Sequence, residues 1–535
     1  MYPTEPLISA DSVHDNYVKV AHAPNYCNAK VPVDTQLHVN NWKLYSSILN
    51  ELDETLIPQI EYGFHMGIDH SFGFSIPVTN HPSAREQYQV IDDFIIKHYE
   101  SGALLGPYSQ NPFPVWAFPS PMQVVTSASG KTRPVIDMSY PKKASINDAI
   151  PKKWSDIQGF HGEFRLPTHE DICKAILQTD DPVMFITDLK SFYMQISSDW
   201  RDAPLMCITW RDALWVHRRL PFGCRSSCLH AQRITNAVVA IFTRTNNVHI
   251  SGYVDDFASI LRRLRSAIAY AAFHKLLDEL GLLKTLEKCQ FPDKIRVFLG
   301  LLYNLIDYTL TLPDDKLSRA LDFLSKWKVK KTCNKHDVQV LLGHLNHFAS
   351  VLHAGKPFTA FILDLLRSDD FPADVDSDLR GDIEMWIGFL QSDFRKTSII
   401  KAFDLAVPDE IVTIAVRGQT CIVSCRGNVS SYKLHISVPH MSPPDMHVIA
   451  VWLVTMKHCD ELRDLVIRVA VPTKAAADAI NRAKVNSVAI RPLLRVMWLC
   501  QARHDFVIKA DKQKYCNAQV LYAKFRDFEE VKLPS

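Results

Sequence analysis

The sequence predicts an α+β chain of several structural units, and three features carry that prediction. An apolar run, Val183-Met184-Phe185-Ile186-Thr187, ends in Asp188 and passes into a polar turn, which reads as a buried strand. Gly252-Tyr253-Val254-Asp255-Asp256-Phe257-Ala258 reads as a short β-hairpin with two adjacent carboxylates at its tip. Between them, Ser226 to Phe242 has the apolar spacing of a helix. At 535 residues the chain is too long for one hydrophobic core, and length alone suggests about three or four units.

In chain order, residues 1–84 read as an N-terminal extension. Within it, Trp42-Lys43-Leu44 to Leu56-Ile57 carries helical spacing that Gly63-Phe64-His65-Met66-Gly67 interrupts. Residues 85–182 form a mixed region with Gly106-Pro107 and a bend marked by Pro112, Pro114, Pro119 and Pro121. Inside it a hairpin is predicted over 123–137: Val124-Val125, a polar Ser127-Ala128-Ser129-Gly130 turn, then Pro134-Val135-Ile136-Asp137. Residues 183–307 hold the strand, helix and hairpin named above, and 308–375 are helical by pattern. Within 376–535, a strand-rich stretch begins at about 405 and ends in helix, which suits a separate small α/β domain. The sequence has no internal repeat and no low-complexity segment.

Hydrophobic content of 47% and charged content of 22% are those of an ordinary globular protein. A net charge of +2 excludes little, because acidic metal sites and basic grooves cancel in the sum. Lys142-Lys143, Lys152-Lys153, Arg262-Arg263-Arg265 and Lys326-Lys328-Lys330-Lys331 are basic clusters, each readable as a phosphate contact or a solvated face. The 12 cysteines lack metal-ligand spacing. Cys224 and Cys228 fall at helical i,i+4 spacing, and Cys421 and Cys425 lie on an alternating segment, with neither a Cys-x-x-Cys form nor His partners. Reduced thiols and an intracellular location, cytoplasm or nucleus, are therefore expected. The start of the chain lacks a signal pattern, and with no apolar run of bilayer length no membrane partner is expected.

Neighbouring side chains on a strand point to opposite faces, so Asp255 and Asp256 cannot both be core. Burying two unpaired carboxylates costs several kcal/mol or forces protonation. Mg²⁺ removes that cost, and it prefers one or two carboxylates plus substrate phosphates. An Asp-Asp pair alone is more often a solvated turn. With Asp188 as a partner, the carboxylates could hold two ions about 4 Å apart, the arrangement used for in-line phosphoryl displacement. One ion would polarise an attacking hydroxyl and the other would neutralise a leaving pyrophosphate.

Asp188-Leu189-Lys190-Ser191-Phe192-Tyr193, Leu220-Pro221-Phe222-Gly223 and Tyr253-Val254-Asp255-Asp256 together resemble the motif series of reverse transcriptases in order and spacing. Glu287-Lys288-Cys289 and Val297-Phe298-Leu299-Gly300 extend the match. More narrowly, the chain resembles the DIRS-like, tyrosine-recombinase retrotransposons over three blocks: His22 to Val33, Arg225 to Ala237, and Leu341 to Arg367. The resemblance implies a right-hand polymerase, with fingers and part of the palm in 85–182, palm in 183–307 and a helical thumb in 308–375. A ribonuclease-H-like α/β connection domain would follow in 376–535.

The resemblance also implies roles. Asp188 and Asp255 would be direct ligands of two Mg²⁺ ions (Mn²⁺ as a substitute), with Asp256 supporting them and the Leu189 carbonyl adding an oxygen. Tyr193 would be the aromatic gate beneath the nucleotide sugar, excluding a 2′-hydroxyl by contact. Phe222 would pack near that sugar, and Gly223 would allow close backbone approach. For Tyr193 and Phe222, ordinary packing is the competing reading. Arg133 would lie over the triphosphate, which a planar guanidinium binds at two points. The sequence departs from the family at the start of that hairpin, where Val125-Thr126-Ser127 replaces a usual lysine, and Lys131 is the substitute. Lys288 would protonate the leaving pyrophosphate, with a surface lysine as the competing reading.

The C-terminal framework also resembles ribonuclease H: Asp409-Glu410-Ile411-Val412-Thr413-Ile414, Val469-Ala470-Val471, Asn481, Leu494-Arg495 and Phe506-Val507-Ile508-Lys509-Ala510. Its acids are missing. Ala415, His447, Pro472 and Leu521 stand at the four carboxylate positions, and Lys512 where a histidine is usual. Asp445 and Asp478 lie near enough to rescue a position if the alignment slips by a residue or two. Without carboxylates no site holds two hard cations, so an inactive nuclease is expected. The implied activity is RNA-directed DNA polymerisation, with RNA template, DNA primer and dNTPs as partners. A homodimer or element-encoded partners are left open. The alternative is a domesticated or defective element acting as a non-catalytic RNA-binding or scaffold protein.

Overall fold

The computed structural model describes residues 2–21, 31–74, 79–126, 130, 132–157, 164–392, 397–398, 410–417, 420–425, 428–435, 442–463, 465–483, 487–512 and 529–532. They form two compact units, Met1–Asp293 and Lys294–Ser535.

In the first unit, an antiparallel sheet runs in the order His249–Tyr253, Asp256–Arg262, Pro182–Asp188, Gln290–Asp293. Every residue of Pro182–Asp188 is buried, as its unbroken apolar run predicts for an inner strand. The helices Ser227–Asn246 and Ser266–Leu280 pack together through rings: Phe273 lies 4.9 Å from Phe242, 5.2 Å from Phe257 and 5.9 Å from Phe185. The helix predicted from Ser226 to Phe242 is thus present and one turn longer. The hairpin predicted over 123–137 forms from Met122–Thr126 and Thr132–Ile136, with Val125 opposite Arg133.

The N-terminal stretch from Trp42 to Ile57, which carries helical spacing, folds as parts of three helices: Val39–Lys43, Ser46–Asp53 and Leu56–Tyr62. The second ends where the Asp53 carboxylate accepts bonds from the Thr55 N–H (3.1 Å) and hydroxyl (2.7 Å), a local alternative to the helix ladder. Trp42, Leu49, Leu56, Ile60 and Phe64 share one core with Phe185, Ile234 and Phe257. Gly281 ends the Ser266–Leu280 helix in the left-handed region, and a Cβ there would lie 2.2 Å from the Gln36 carbonyl oxygen.

The second unit begins with a small antiparallel sheet, Ile295–Phe298, Leu301–Asn304, Thr309–Thr311 and Thr397–Ser398. The predicted helical region contains Asp314–Val329, Lys335–Phe348 and Ala360–Ser368, followed by Ser377–Gln391. A six-stranded sheet then runs in the order Val507–Lys512, Val466–Val471, Glu410–Arg417, Thr420–Cys425, Asn428–His435, Glu529–Lys532. Glu410–Arg417, Thr420–Cys425 and Asn428–His435 pair antiparallel, and the remaining pairs are parallel. Among the described residues, the helix Arg491–Arg503 is followed by Val507–Lys512, which pairs along Val466–Val471 with Ile508 and Ala510 buried.

Candidate active site

Asp188 is the last residue of an inner strand, and sheet register sets it directly opposite Asp256. The Asp256 strand turns back through only Val254 and Asp255, because Tyr253 pairs with Asp256. The Leu189 N–H donates to the Asp255 carbonyl at 2.9 Å. Three carboxylates separated by 67 residues of chain therefore meet at one end of the sheet. Asp188 is buried, and Asp255 and Asp256 are half-buried.

Such crowding has an electrostatic consequence. Burial pushes the Asp256 carboxyl up to about 6, aided by the Asp255 and Asp188 charges and opposed by Lys288. Asp255 is also raised, first by burial and then by Asp188. Lys288 supplies the cation in reach: its Nζ donates to Asp188 Oδ2 at 2.7 Å, and this bond raises the lysine above its ordinary value. Asp188 Oδ1 is buried and receives no hydrogen bond. An unsatisfied carboxylate oxygen beside two carboxyls held above their usual range fits a divalent cation with hard oxygen ligands. The Leu189–Lys284 bridge is closed by the Asp188 carbonyl and the Lys190 N–H, bypassing the Leu189 carbonyl oxygen.

The ring of Tyr193 stacks on Phe222 with centroids 4.8 Å apart and planes 25° from parallel. Burial raises the Tyr193 phenol, with lesser effects from Cys228 and Asp255. Gly223 has φ +112°, and a Cβ there would meet the Ile136 carbonyl oxygen at 2.3 Å, so the loop passes tight against the Thr132–Ile136 strand.

Residues 125–303 match the family model for reverse transcriptase (RNA-dependent DNA polymerase). The chain carries a reverse transcriptase domain. It is accordingly a nucleotidyltransferase, an RNA-directed DNA polymerase. No curated protein matches the sequence. Among solved structures, the foamy viral protease-reverse transcriptase in complex with RNA/DNA hybrid is similar at TM-score 0.50 and 14% identity, over 100% of this chain and 65% of that one. The foamy viral protease-reverse transcriptase dRH in complex with ds DNA is similar at TM-score 0.48 and 15% identity, over 90% of this chain and 84% of that one. The fold of mixed helix and sheet is polymerase-like.

Within the reverse transcriptase domain, Arg133 is exposed on its strand, and among the described residues it pairs with none of the three carboxylates. Lys131 lies outside the described residues. Sequence reasoning missed the groups that hold the site in shape. Val254 sits at φ +52°, a conformation a β-branched side chain rarely adopts. Its N–H donates to Gln232 Oε1 at 2.8 Å, and its carbonyl accepts from the Thr235 hydroxyl. Gln232 Nε2 also donates to the Gly252 carbonyl at 3.0 Å. After Asp188, Gln195 Nε2 donates to the carbonyls of Lys190 (2.7 Å) and Leu283 (3.0 Å). Asn147 Nδ2 donates to the Gly223 carbonyl at 2.7 Å, and its Oδ1 accepts from the Arg225 N–H. The one available signal was polar residues inside otherwise apolar helical spacing, which does not say what they bond.

Proposed function

We propose that this enzyme extends a primer 3′-hydroxyl with dNTPs on an RNA template, and that Asp188, Asp255 and Asp256 hold two divalent ions, Mg²⁺ or Mn²⁺, for that reaction. The meeting of these three acids around the unsatisfied Asp188 Oδ1 carries the proposal. Bound there, the ions supply positive charge for the attacking hydroxyl and the leaving pyrophosphate. Asp188 and Asp255 act as direct ligands with the Leu189 carbonyl, and Asp256 supports them. Tyr193, stacked on Phe222, excludes a 2′-hydroxyl by contact with its ring. Gly223 lets the backbone approach the nucleotide, while Arg133 and Lys131 bind its phosphates. Lys288 protonates the leaving pyrophosphate, a role its 2.7 Å bond to Asp188 Oδ2 supports.

We further infer that residues 376–535 are a ribonuclease-H-like connection without nuclease activity. Ala415 lies on the strand Glu410–Arg417 and Pro472 just past its parallel partner Val466–Val471, and neither is an acid. His447 Nδ1 is engaged with the Pro443 carbonyl at 2.7 Å. Asp445 is occupied in the capping box with Ser442, and Asp478 lies 3.9 Å from Arg482. Leu521 falls outside the described residues. Fingers with part of the palm over 85–182, palm over 183–307 and thumb over 308–375, and membership of the DIRS-like group, belong to the same proposal. Part of the first subgroup block, residues 22–30, lies outside the described residues.

Primer extension on a defined RNA template tests the polymerase reading, comparing wild type with Asp255→Asn, first with dNTPs and then with rNTPs. Extension by wild type alone, with dNTPs preferred, is expected; equal extension by both proteins would overturn the site assignment. No extension by wild type would favour a scaffold. Metal-dependent release of labelled RNA from a hybrid would refute the inactive-nuclease inference. A tyrosine recombinase in a neighbouring reading frame would establish the subgroup.

A further inference from the structure

A second constellation of ligand atoms lies in the C-terminal sheet domain, far in sequence from the polymerase carboxylates and of different chemistry. The helix Pro443–His458 ends at Cys459, which is partly exposed. The helix Arg491–Arg503 carries buried Cys500 in its last turn and ends at His504. Cys500 and His504 stand four residues apart, so they share one helical face. The fold brings Cys459 onto that face, and one ligand atom from each of the three residues lies within 4.8 Å of the others. A fourth donor is adjacent: an Asp460 carboxylate oxygen is 3.2 Å from His504 Nδ1. His504 Nδ1 is buried and makes no hydrogen bond, although this acceptor is close. The thiols lie 3.9 Å from the Met456 carbonyl (Cys459 Sγ) and 4.0 Å from the Thr455 carbonyl (Cys500 Sγ), and they are within reach of one another.

We propose that Cys459, Cys500 and His504, with Asp460 as the fourth ligand, form a tetrahedral site for Zn²⁺. Two thiolates and an imidazole suit a borderline-soft ion and not Mg²⁺, which takes oxygen ligands and near-octahedral geometry. Around a tetrahedral zinc with Zn–S bonds of about 2.3 Å, sulfurs stand about 3.8 Å apart. The ligand atoms of Cys459, Cys500 and His504 therefore close on an ion by shifts of about 1 Å, and exposed Asp460, 3.2 Å from His504 Nδ1, turns in as the fourth. Four protein ligands leave no open position, so the site is structural. It fastens the C-terminal ends of two helices that the Cys500–Thr455 contact already brings together. Sequence spacing gives no hint of it, because the ligands come as two pairs about 40 residues apart, each pair being ordinary by itself.

The probe is Co²⁺, added to the full chain after reduction and removal of metals by a chelator. One equivalent is expected to give a sulfur-to-cobalt charge-transfer band and tetrahedral d–d bands, both displaced by Zn²⁺. Oxygen ligands at the polymerase carboxylates produce no such charge-transfer band, so the two sites are read separately. Cys459→Ser and Cys500→Ser should abolish the band, whereas Asp460→Asn should keep it and weaken affinity tenfold or more. Zn²⁺ should raise the thermal midpoint of the wild type and leave that of Cys459→Ser unchanged. Absence of the band in folded wild type would overturn the proposal, with no variant needed. So would its persistence in the Cys459→Ser/Cys500→Ser double variant. Alkylation mapping that finds these two cysteines joined as a disulfide in freshly purified protein would overturn it too.

Discussion

Asp255 and Asp256 are neighbours in the chain, yet the fold gives them different positions. Asp255 occupies the turn itself, while Asp256 is the first residue of the returning strand, opposite Asp188. On the proposed roles, Asp255→Asn should reduce the single-turnover rate of nucleotide addition by about 10²-fold or more, the scale of losing one transition-state electrostatic partner. Asp256→Asn should cost less. A smaller gate should leave dNTP addition nearly intact: Tyr193→Val is expected to raise rNTP use relative to dNTP by about tenfold, which corresponds to about 1.4 kcal/mol of lost exclusion. Steady-state kcat/KM for matched dNTP and rNTP checks it, and unchanged discrimination would remove Tyr193 from the gate. The acids were legible because carboxylates next to apolar residues need a reason to be there. Gln232, Thr235, Gln195 and Asn147 were not legible, since their partners are mostly backbone groups far off in sequence that only the folded sheet presents.

Among elements, the N-terminal extension is the clearest case of pattern and packing disagreeing. Its helical spacing is visible in sequence, but its membership of the main core is not, because apolar periodicity names a buried face without naming what covers it. Arg233, on the Ser227–Asn246 helix, joins the two. Its guanidinium donates to Asp53 Oδ2 (2.7 Å), Gln59 Oε1 (2.6 Å) and Thr55 Oγ1 (2.7 Å), with both charges buried. Removing one partner of such a pair strands the other charge, so Arg233→Leu should destabilise the protein by about 3–5 kcal/mol. Urea unfolding followed by tryptophan fluorescence measures this, since Trp42 lies in the same core and donates to the Leu280 carbonyl at 3.0 Å. A loss below about 1 kcal/mol would mean that the extension is held by apolar contact alone. The hairpin of Asp255 is similarly bound to its helix: a Cβ at Gly252 would stand 2.3 Å from Thr235 Cγ2. Gly252→Ala should therefore lower polymerase activity by displacing the turn, even where the protein stays folded.

For the whole molecule, composition was the least informative level: a net charge of +2 conceals sites whose groups sit far from their ordinary ionisation. Two histidines in the first unit tie that hidden ionisation to stability. His98 and His217 are buried with rings 6.4 Å apart. Burial, then Lys97, lowers His98 to about 4, and burial, then His98, lowers His217 to about 3. Their unfolded values are near 6.5, so both forms are neutral above that pH and the pair contributes no pH dependence there. Below about 6.5 the unfolded chain takes up protons that the folded chain refuses, and stability falls as pH falls, until the folded values near 4 and 3 are passed. The raised carboxyls of Asp255 and Asp256 act in the opposite sense over part of this range, because the folded chain then holds protons that the unfolded chain has released. The histidine contribution is therefore read as a difference. His98→Gln removes one refused proton, so its urea midpoint should decline less steeply than that of wild type from about pH 6.5 to about pH 4. The gap in ΔG should change by at most about 3 kcal/mol across that window. Parallel curves for the two proteins would show that the His98 ring takes up its proton in the folded state over this range.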